Sequence, residues 1–297
     1  MAALRGPSAA IAGSSRSGGV RPLGQRTGGG MSRYRPLQAG QDAGKGYVPP
    51  ERPLAFAADW EAIPVSSGEL MRLVGWYPVG FQRRGDTYRL ALPARAGERR
   101  ALINPITGRW FGHQLPLALR LYPLRLVALP REDGTPGEPA LALDTEAEAH
   151  FTTAAEQPLL DTEGQWTEAG RKRLQALQRY QQRQARDQQV IQRLAERGLF
   201  IPWALNLGSE EVPAWMADWY QLDAARLGEL TPQDAADLHV LGGWRMVYGH
   251  QYSKLRAGAP AHLAERLAQR QAAQQNEALD GLFGGQGDDI AFDFDFD

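Results

Sequence analysis

A histidine lies between two tyrosines in the stretch Tyr-Gly-His-Gln-Tyr at residues 248–252. An imidazole titrates near neutral pH and can pass a proton to or from a substrate, and a nearby phenol can assist it. His250, Tyr248 and Tyr252 are therefore weak candidates for acid–base catalysis, together with His113 in a turn-rich stretch earlier in the chain. The alternative, which we favour, is an aromatic-rich helix face packed on a sheet, with His113 in a loop.

The usual sequence signatures of a reaction centre are absent. The chain has no cysteine, no Gly-x-Ser-x-Gly elbow, no Gly-x-x-x-x-Gly-Lys-Ser/Thr loop and no Gly-x-Gly-x-x-Gly motif after a strand. His239 and His250 are eleven positions apart, which is about 16 Å along a helix and too far for one metal ion. We predict no catalytic residue beyond the weak candidates, no cofactor and no metal.

The stretch 103–127 brings turn residues and aromatic residues together. Asn-Pro-Ile-Thr-Gly at 104–108 has the composition of a β-turn, and Pro123 stops any helix that precedes it. The chain also has eight tryptophans. Indole rings can stack on sugars or receive a peptide, but large aromatic side chains more often fill cores. We interpret both the turn residues and the tryptophans as parts of a scaffold.

Charge and hydropathy exclude some classes of partner. The 297 residues carry a net charge of −1, and 43% of them are hydrophobic, which is typical of a globular protein and gives no net basic surface for nucleic acid. No run of about 18 apolar residues is present, so no transmembrane segment is predicted. The apolar patch at 9–13 is too short for a secretory signal. The absence of a signal peptide predicts a cytoplasmic location.

Residues 1–50 are rich in Gly, Pro and Arg, and we predict that they form a disordered leader. The acid-poor, Arg- and Ser-rich start also fits an organellar transit peptide. We favour a disordered or wrongly assigned leader, and Met1 and Met31 both stay open as the start of the protein.

Residues 51–260 are predicted to form one α+β domain that is β-rich to about residue 145 and mainly helical after it. The short apolar runs typical of strands lie at 87–92, 99–104 and 124–130, with a further strand after the turn at 131–137. Their spacing indicates an antiparallel sheet or small barrel, with the helical C-terminal half packed on it. A long helix is predicted between Thr167 as N-cap and Gly198 as the residue after its end.

A second long helix is predicted from Thr231, its N-cap, to Leu255. Pro232 fits the first helical position, and Asp234 lies near the positive helix end. Its apolar residues are predicted to form one core-facing stripe, made of Leu238, Leu241, Tyr248, Tyr252 and Leu255. The Gly242-Gly243 pair inside this helix is unfavourable, which suggests the close approach of another element.

Residues 261–297 are predicted to be a helical extension that ends in a flexible acidic tail. The tail alternates phenylalanine and aspartate after a glycine-rich segment. If it is extended, one side carries Phe292, Phe294 and Phe296, and the other carries Asp293, Asp295 and Asp297. We predict that it is disordered when free and that these six residues bind a protein partner, by strand addition or capture in a basic groove. The alternative is a solubilising tail without a partner.

Six segments match a known family in one consistent order. They are YPVGF at 77–81, NPITGRWFGHQLPLALRLYPLRL at 104–126, QPLLDTEGQWTEAGRKRLQAL at 157–177, RLAERGLFIPWALNL at 193–207, WYQLDAARLGELTPQDAADLH at 219–239 and VYGHQYSKL at 247–255. Together they resemble the SapC family of bacterial proteins. The resemblance covers roughly Phe56 to Leu255, which leaves the leader and the tail outside it.

The resemblance implies an accessory protein linked to a bacterial surface layer, or to peptide or glycan modification and uptake. It implies association with the cell surface and brings no established catalytic residues. We therefore predict a non-catalytic accessory or interaction protein. The alternative is an enzyme, or a substrate-presenting subunit, that acts on peptide or carbohydrate; a pocket gathering at least three of His250, Tyr248, Tyr252 and His113 would favour it. The oligomeric state stays open.

Overall fold

The chain folds into many short strands and a few long helices. The computed structural model describes residues 33–96, 99–100, 102–130, 135–205 and 214–283. The strands are β1 (Tyr34–Pro36), β2 (Gly46–Tyr47), β3 (Ala62–Pro64), β4 (Gly80–Arg84), β5 (Thr87–Pro93), β6 (Arg95–Ala96), β7 (Arg99–Arg100), β8 (Leu124–Pro130), β9 (Pro136–Asp144), β10 (Phe151–Thr152), β11 (Phe200–Pro202) and β12 (Trp219–Leu222). The helices are α1 (Ala39–Asp42), α2 (Leu70–Leu73), α3 (Leu117–Arg120), α4 (Glu168–Glu196), α5 (Ala224–Gly228), α6 (Pro232–Leu241), α7 (Trp244–Ser253) and α8 (Ala259–Phe283).

Antiparallel sheets followed by helices confirm the predicted α+β class. The largest sheet has the strand order β11-β12-β4-β5-β3, so it has two edges and is not a closed barrel. The predicted strands at 87–92 and 124–130 are present as β5 and β8. The predicted strand at 99–104 is only partly formed, as β7 and an isolated bridge between Ile103 and Trp110.

The chain divides into two compact units, each made of two separate segments. The first unit combines residues 1–53 with residues 116–189, and the second combines residues 54–115 with residues 190–297. Both units therefore contain residues of the predicted 51–260 domain. The boundaries of that domain remain a prediction.

The first unit contains a three-stranded sheet of order β1-β9-β8 and a small β10-β2 pair. Residues 34–47, which the composition assigned to a disordered leader, form β1, α1 and β2 here, so that part of the prediction is wrong. The physical reason is pairing with a distant strand, together with an ion pair inside the segment itself. Tyr34 pairs with Asp144 across the sheet, and both Arg35 guanidinium nitrogens Nη1 and Nη2 bond the buried Asp42 carboxylate at 2.9 Å.

The start of helix α4 is fixed as predicted. The Thr167 hydroxyl accepts a hydrogen bond from the Gly170 amide at 3.0 Å, which satisfies one of the free N–H groups at the helix start. Leu174 and Leu177 on the first turns of α4 are buried in the core of the first unit. At the other end, in the second unit, Gly198 has φ +63°, the left-handed conformation that ends helices.

The second unit is built on the five-stranded sheet and carries helices α5 to α8. Strands β4 and β5 form a hairpin that turns at Gly85, where φ is +59°. Phe81 and Leu92 of these strands are fully buried, as is Trp219 of β12. Helix α7 packs against β12, and helix α2 packs against α7.

The predicted long helix from Thr231 to Leu255 is two helices. Thr231 caps α6 as expected, by accepting from the Asp234 amide at 3.2 Å, but α6 ends at Gly242, where φ is +69°. A left-handed residue changes the direction of the chain, so the apolar periodicity does not continue into α7. The predicted core-facing stripe is therefore wrong: Leu238 is buried, whereas Tyr248, Tyr252 and Leu255 are exposed.

None of the helices found in the described ranges is long and apolar enough to cross a membrane.

Candidate functional site

His250 is a fully buried residue on the inner face of α7. Its Nδ1 lies 2.7 Å from the Val79 carbonyl oxygen, which can only accept, so Nδ1 carries the proton. The other nitrogen, Nε2, accepts a hydrogen bond from the Leu222 amide at 3.2 Å. Both ring nitrogens are therefore engaged by backbone groups of the second unit, and the geometry holds one neutral tautomer.

The surroundings of His250 keep the ring neutral. Burial lowers the pKa of His250 from 6.5 to about 4; the hydrogen bond with Val79 opposes this shift, and the charge of Lys254 adds to it. The rings of Phe81 and Trp203 lie 5.2 Å and 5.4 Å from the imidazole, centroid to centroid. His250 is thus placed as a structural link between α7, β12 and the residue before β4.

Two further residues on the inner face of α7 hold it in place. The Ser253 hydroxyl accepts from the Val79 amide at 3.0 Å and lies 2.7 Å from the His250 carbonyl oxygen. Gly249 is the contact point for α2, because a Cβ added there would overlap the side chain of Leu70. Residues 70–79 therefore run alongside α7, fixed at Leu70 by Gly249 and at Val79 by His250 and Ser253.

The two candidate tyrosines lie on the outer face of α7. Tyr248 is 54% exposed and Tyr252 is 61% exposed. Each is two residues from His250, about 200° around the helix, so neither side chain points toward the imidazole. Tyr248 stacks on Trp244, one turn earlier, with the ring centroids 5.5 Å apart.

His113 lies in the loop after the Asn-Pro turn. Its ring stacks on Trp76, with the centroids 3.8 Å apart and the planes 21° apart, and both side chains are exposed. The turn before it forms as predicted: Asn104 Oδ1 accepts from the Ile106 and Thr107 amides, and Gly108 has φ +61°. His250, Tyr248 and Tyr252 are thus separated between two faces of α7, and His113 belongs to an aromatic pair with Trp76.

Helices α2 and α7 contact each other, and exposed residues lie on both helices and within three residues after each of them. We name them the α2–α7 face, which consists of Met71, Arg72, Trp76, Arg245, Tyr248, Tyr252 and Leu255. All seven are exposed. The sequence contains no Asp or Glu at 70–85 or at 238–264, so the two segments add only positive charge to this face.

The sequence analysis did not predict that these residues are exposed together. Trp76 was assigned to the core with the other tryptophans, yet it is 44% exposed, whereas Trp203 and Trp219 are buried. Arg72 and Arg245 are exposed on the same two elements, α2 and α7. The signal that was available is the long acid-free stretch around two tyrosines, which is unusual in a chain with 34 acidic residues.

The remaining predicted site lies outside the described residues. It consists of the tail residues Phe292, Asp293, Phe294, Asp295, Phe296 and Asp297. In the part of the chain that the structure does describe, no three His, Asp or Glu side chains are grouped so that they could hold a metal ion.

The comparisons with known proteins give one finding. A search of curated proteins and a search of solved structures each return no significant match. The sequence model of the SapC family matches residues 44–257, which contain strands β2 to β12, helices α2 to α7 and the whole α2–α7 face. Because this match covers well over half of the 297 residues, the chain belongs to the SapC family.

Proposed function

We propose that this protein is a non-catalytic accessory protein that acts by binding a partner, in a bacterial surface layer or in peptide or glycan modification and uptake. The observation that carries the proposal is the α2–α7 face, where aromatic and cationic side chains are exposed together. The enzyme alternative has less support, because both nitrogens of His250 are engaged by backbone groups and the two tyrosines point away from it.

The composition of the α2–α7 face supports a protein partner. Tyr, Trp, Met and Arg are the residue types enriched in the cores of protein–protein interfaces, and Tyr, Trp and Arg dominate their binding energy. All four types are present here, as Tyr248, Tyr252, Trp76, Met71, Arg72 and Arg245. The hydrogen bonds and packing that fix α7 beneath them make the surface rigid, which lowers the entropy lost on binding.

The charge of the face indicates the chemistry of the partner. Arg72 and Arg245 are exposed, and neither makes an ion pair with any residue that the structure describes. Aromatic rings beside unpaired guanidinium groups suit a polypeptide segment that carries both carboxylates and apolar side chains. We therefore propose an acidic, partly apolar protein segment as the occupant of the face.

Photo-crosslinking tests this proposal directly. Benzoylphenylalanine is placed at Tyr248, at Tyr252 and, as the matched control, at Val240, which is 84% exposed on α6 outside the face. We expect both face positions to capture one and the same protein, with an acidic segment at the attachment site, and Val240 to capture none of it. Equal capture at Val240 would contradict the proposal, as would an attached segment without acidic residues.

Charge reversal provides the second arm of the experiment. Arg72→Glu combined with Arg245→Glu is expected to remove most of the crosslinked product while the circular dichroism spectrum stays unchanged, because both side chains are exposed. An unchanged yield of crosslinked product would show that binding of the partner does not depend on the charge of this face.

We further propose the acidic tail as an interaction segment, with phenylalanines filling pockets and aspartates meeting Lys or Arg. The alternating pattern and the glycine-rich segment before it support this role. The test is a comparison of the full chain with a chain ending at Gly287, using the same crosslinking positions. An unchanged set of bound proteins would remove the tail from the interaction.

A further inference from the structure

We propose that the Phe-Asp tail binds a basic surface on helix α8 of its own chain. This inference rests on the interaction role proposed for the tail, and it specifies the surface to which the tail binds. The surface, which we name the α8 basic face, consists of His262, Arg266 and Arg270 on α8. The ring of Phe111 lies beside the two arginines, and Arg95 is on strand β6, which contacts α8.

The α8 basic face follows one line of the helix. His262, Arg266 and Arg270 are spaced by four residues and are all exposed. The guanidinium carbons of Arg266 and Arg270 lie 6.0 Å and 5.0 Å from the centroid of the Phe111 ring. Within the described part of the chain, neither arginine makes an ion pair, so two cations are held over an aromatic ring without a carboxylate.

A third arginine, on a strand that contacts α8, has one guanidinium N–H without an acceptor among the described residues. Strand β6, which contains Arg95, packs against α8. The Nε atom of Arg95 is buried and has no hydrogen-bond partner among the residues that the structure describes. A buried guanidinium N–H without an acceptor is unfavourable, so this position favours the arrival of a carboxylate. Glu98, between β6 and β7 in the sequence, lies outside the described residues and is tested with its own control variant.

The tail matches this surface in spacing and in chemistry. Alternate residues of an extended segment are about 6.7 Å apart, which separates the carboxylates of Asp293 and Asp295 by that distance. Arg266 and Arg270 are four residues apart on a helix, which is about 6 Å along its axis. Two neighbouring aspartates can therefore meet two neighbouring arginines, while Phe292, Phe294 and Phe296 on the other side of the tail bring apolar area for burial.

The tail is long enough to reach the α8 basic face of the same molecule. Helix α8 ends at Phe283, thirteen residues beyond Arg270 and thus about 20 Å away along the axis. The nine residues from Phe283 to Phe292 span up to about 30 Å when extended. A connection of only nine residues gives an effective concentration on the order of millimolar, so even a weak site is occupied within one chain before a second copy competes.

Disulfide trapping tests the proposal in the full chain. The protein has no cysteine, so two introduced cysteines are its only thiols. Ala291→Cys in the tail is combined with Ala273→Cys, which continues the line of Arg266 and Arg270. The matched control combines Ala291→Cys with Gln275→Cys, which is equally exposed but about 200° around the helix. We expect an intrachain disulfide to form at least about fivefold faster at position 273, and 1 M salt to abolish most of this difference.

A charge swap decides whether the contact is the one proposed. Arg266→Glu with Arg270→Glu is expected to lower the rate at position 273 to that of the control, and Asp293→Arg with Asp295→Arg is expected to restore it. The first pair of changes also removes two cations from the ring of Phe111, which could alter α8. The tail variant Phe292→Ala, Phe294→Ala, Phe296→Ala leaves α8 unchanged, and it is also expected to lower the rate of disulfide formation at position 273. Glu98→Gln should leave the rate unchanged.

Three results would overturn the proposal. Equal rates at positions 273 and 275 would mean that the tail has no preferred site on α8. A disulfide formed between two molecules would place the tail on a second copy instead. A rate that rises with Glu98→Gln and ignores the charge swap would mean that Glu98 governs this surface. None of these results bears on crosslinking from Tyr248 and Tyr252, so the two proposals fail separately.

Discussion

The two faces of α7 have opposite environments. On the inner face, His250 and Ser253 bond the backbone of Val79, and Gly249 admits Leu70. On the outer face, Tyr248 and Tyr252 are more than half exposed, with Arg245 on the same side. The histidine between the two tyrosines is thus buried and bonded to backbone groups, and the tyrosines predicted to face the core are at the surface. The order of residues in a short motif does not determine which of them is exposed. The elements packed against the helix determine that.

The largest expected effect is the loss of His250. His250→Ala removes a buried ring and leaves the Val79 carbonyl and the Leu222 amide without their partner. We expect the free energy of unfolding to fall by about 3–5 kcal/mol, measured by urea denaturation. Tyr252→Ala on the outer face is the matched control and should change it by no more than about 0.5 kcal/mol. Similar losses for both variants would remove the distinction between the two faces.

The next effect is a dependence of stability on pH. The pKa of His250 is about 4 in the folded protein and near 6.5 when unfolded, so the unfolded chain takes up the proton first. His250 therefore contributes its full stability above pH 6.5 and loses it as the pH falls toward 4, by about 3 kcal/mol in total. Urea denaturation at several pH values measures this slope, and His250→Gln should flatten it. An equally steep slope in that variant would assign the effect to other groups.

A smaller effect is expected where α2 meets α7. Gly249→Ala places a methyl group against the buried Leu70 side chain, which should cost about 1–3 kcal/mol of unfolding free energy through overpacking. Gly75→Ala is the control, because a Cβ there meets nothing within 4 Å. That change should be neutral or slightly stabilising, since alanine restricts the unfolded chain. Equal losses at both glycines would mean that the α2–α7 contact is not tight.

The smallest effect on stability should accompany the largest effect on binding. Tyr248→Ser combined with Tyr252→Ser is expected to lower the free energy of unfolding by less than about 1 kcal/mol, since both rings are mostly in solvent and only Tyr248 stacks on a neighbour. The affinity for the partner identified by crosslinking should fall by more than about tenfold, measured by titration calorimetry. Unchanged affinity would place the interaction elsewhere.

Features that depend on neighbouring residues in the chain were predictable. Thr167 and Thr231 cap their helices, Gly198 follows α4, and Asn104 with Gly108 forms the expected turn. In each case the side chain bonds a backbone group no more than four positions away, or glycine supplies a left-handed conformation. These effects are local, so the sequence order alone contains them.

Features that depend on distant partners were not predictable. The composition of residues 34–47 indicates disorder, yet β1 pairs with a strand more than a hundred residues later, and Arg35 pairs with Glu148, which is 113 positions away. The stripe through Leu238 and Tyr248 assumed one helix axis, and the left-handed Gly242 breaks it. The environment of His250 depends on Val79 and Leu222, which come from two other parts of the chain.

The pairing of Tyr34 with Asp144 has a consequence for how the protein is made. A ribosome adds about 5–20 residues per second, so the first strand leaves the exit tunnel roughly 5–20 s before the strand that completes its hydrogen bonds. During that interval its backbone groups have no native partner, and about half of the polypeptide already exists. Nascent chains stalled before residue 144 should therefore be held by chaperones, and release should follow once β9 has emerged.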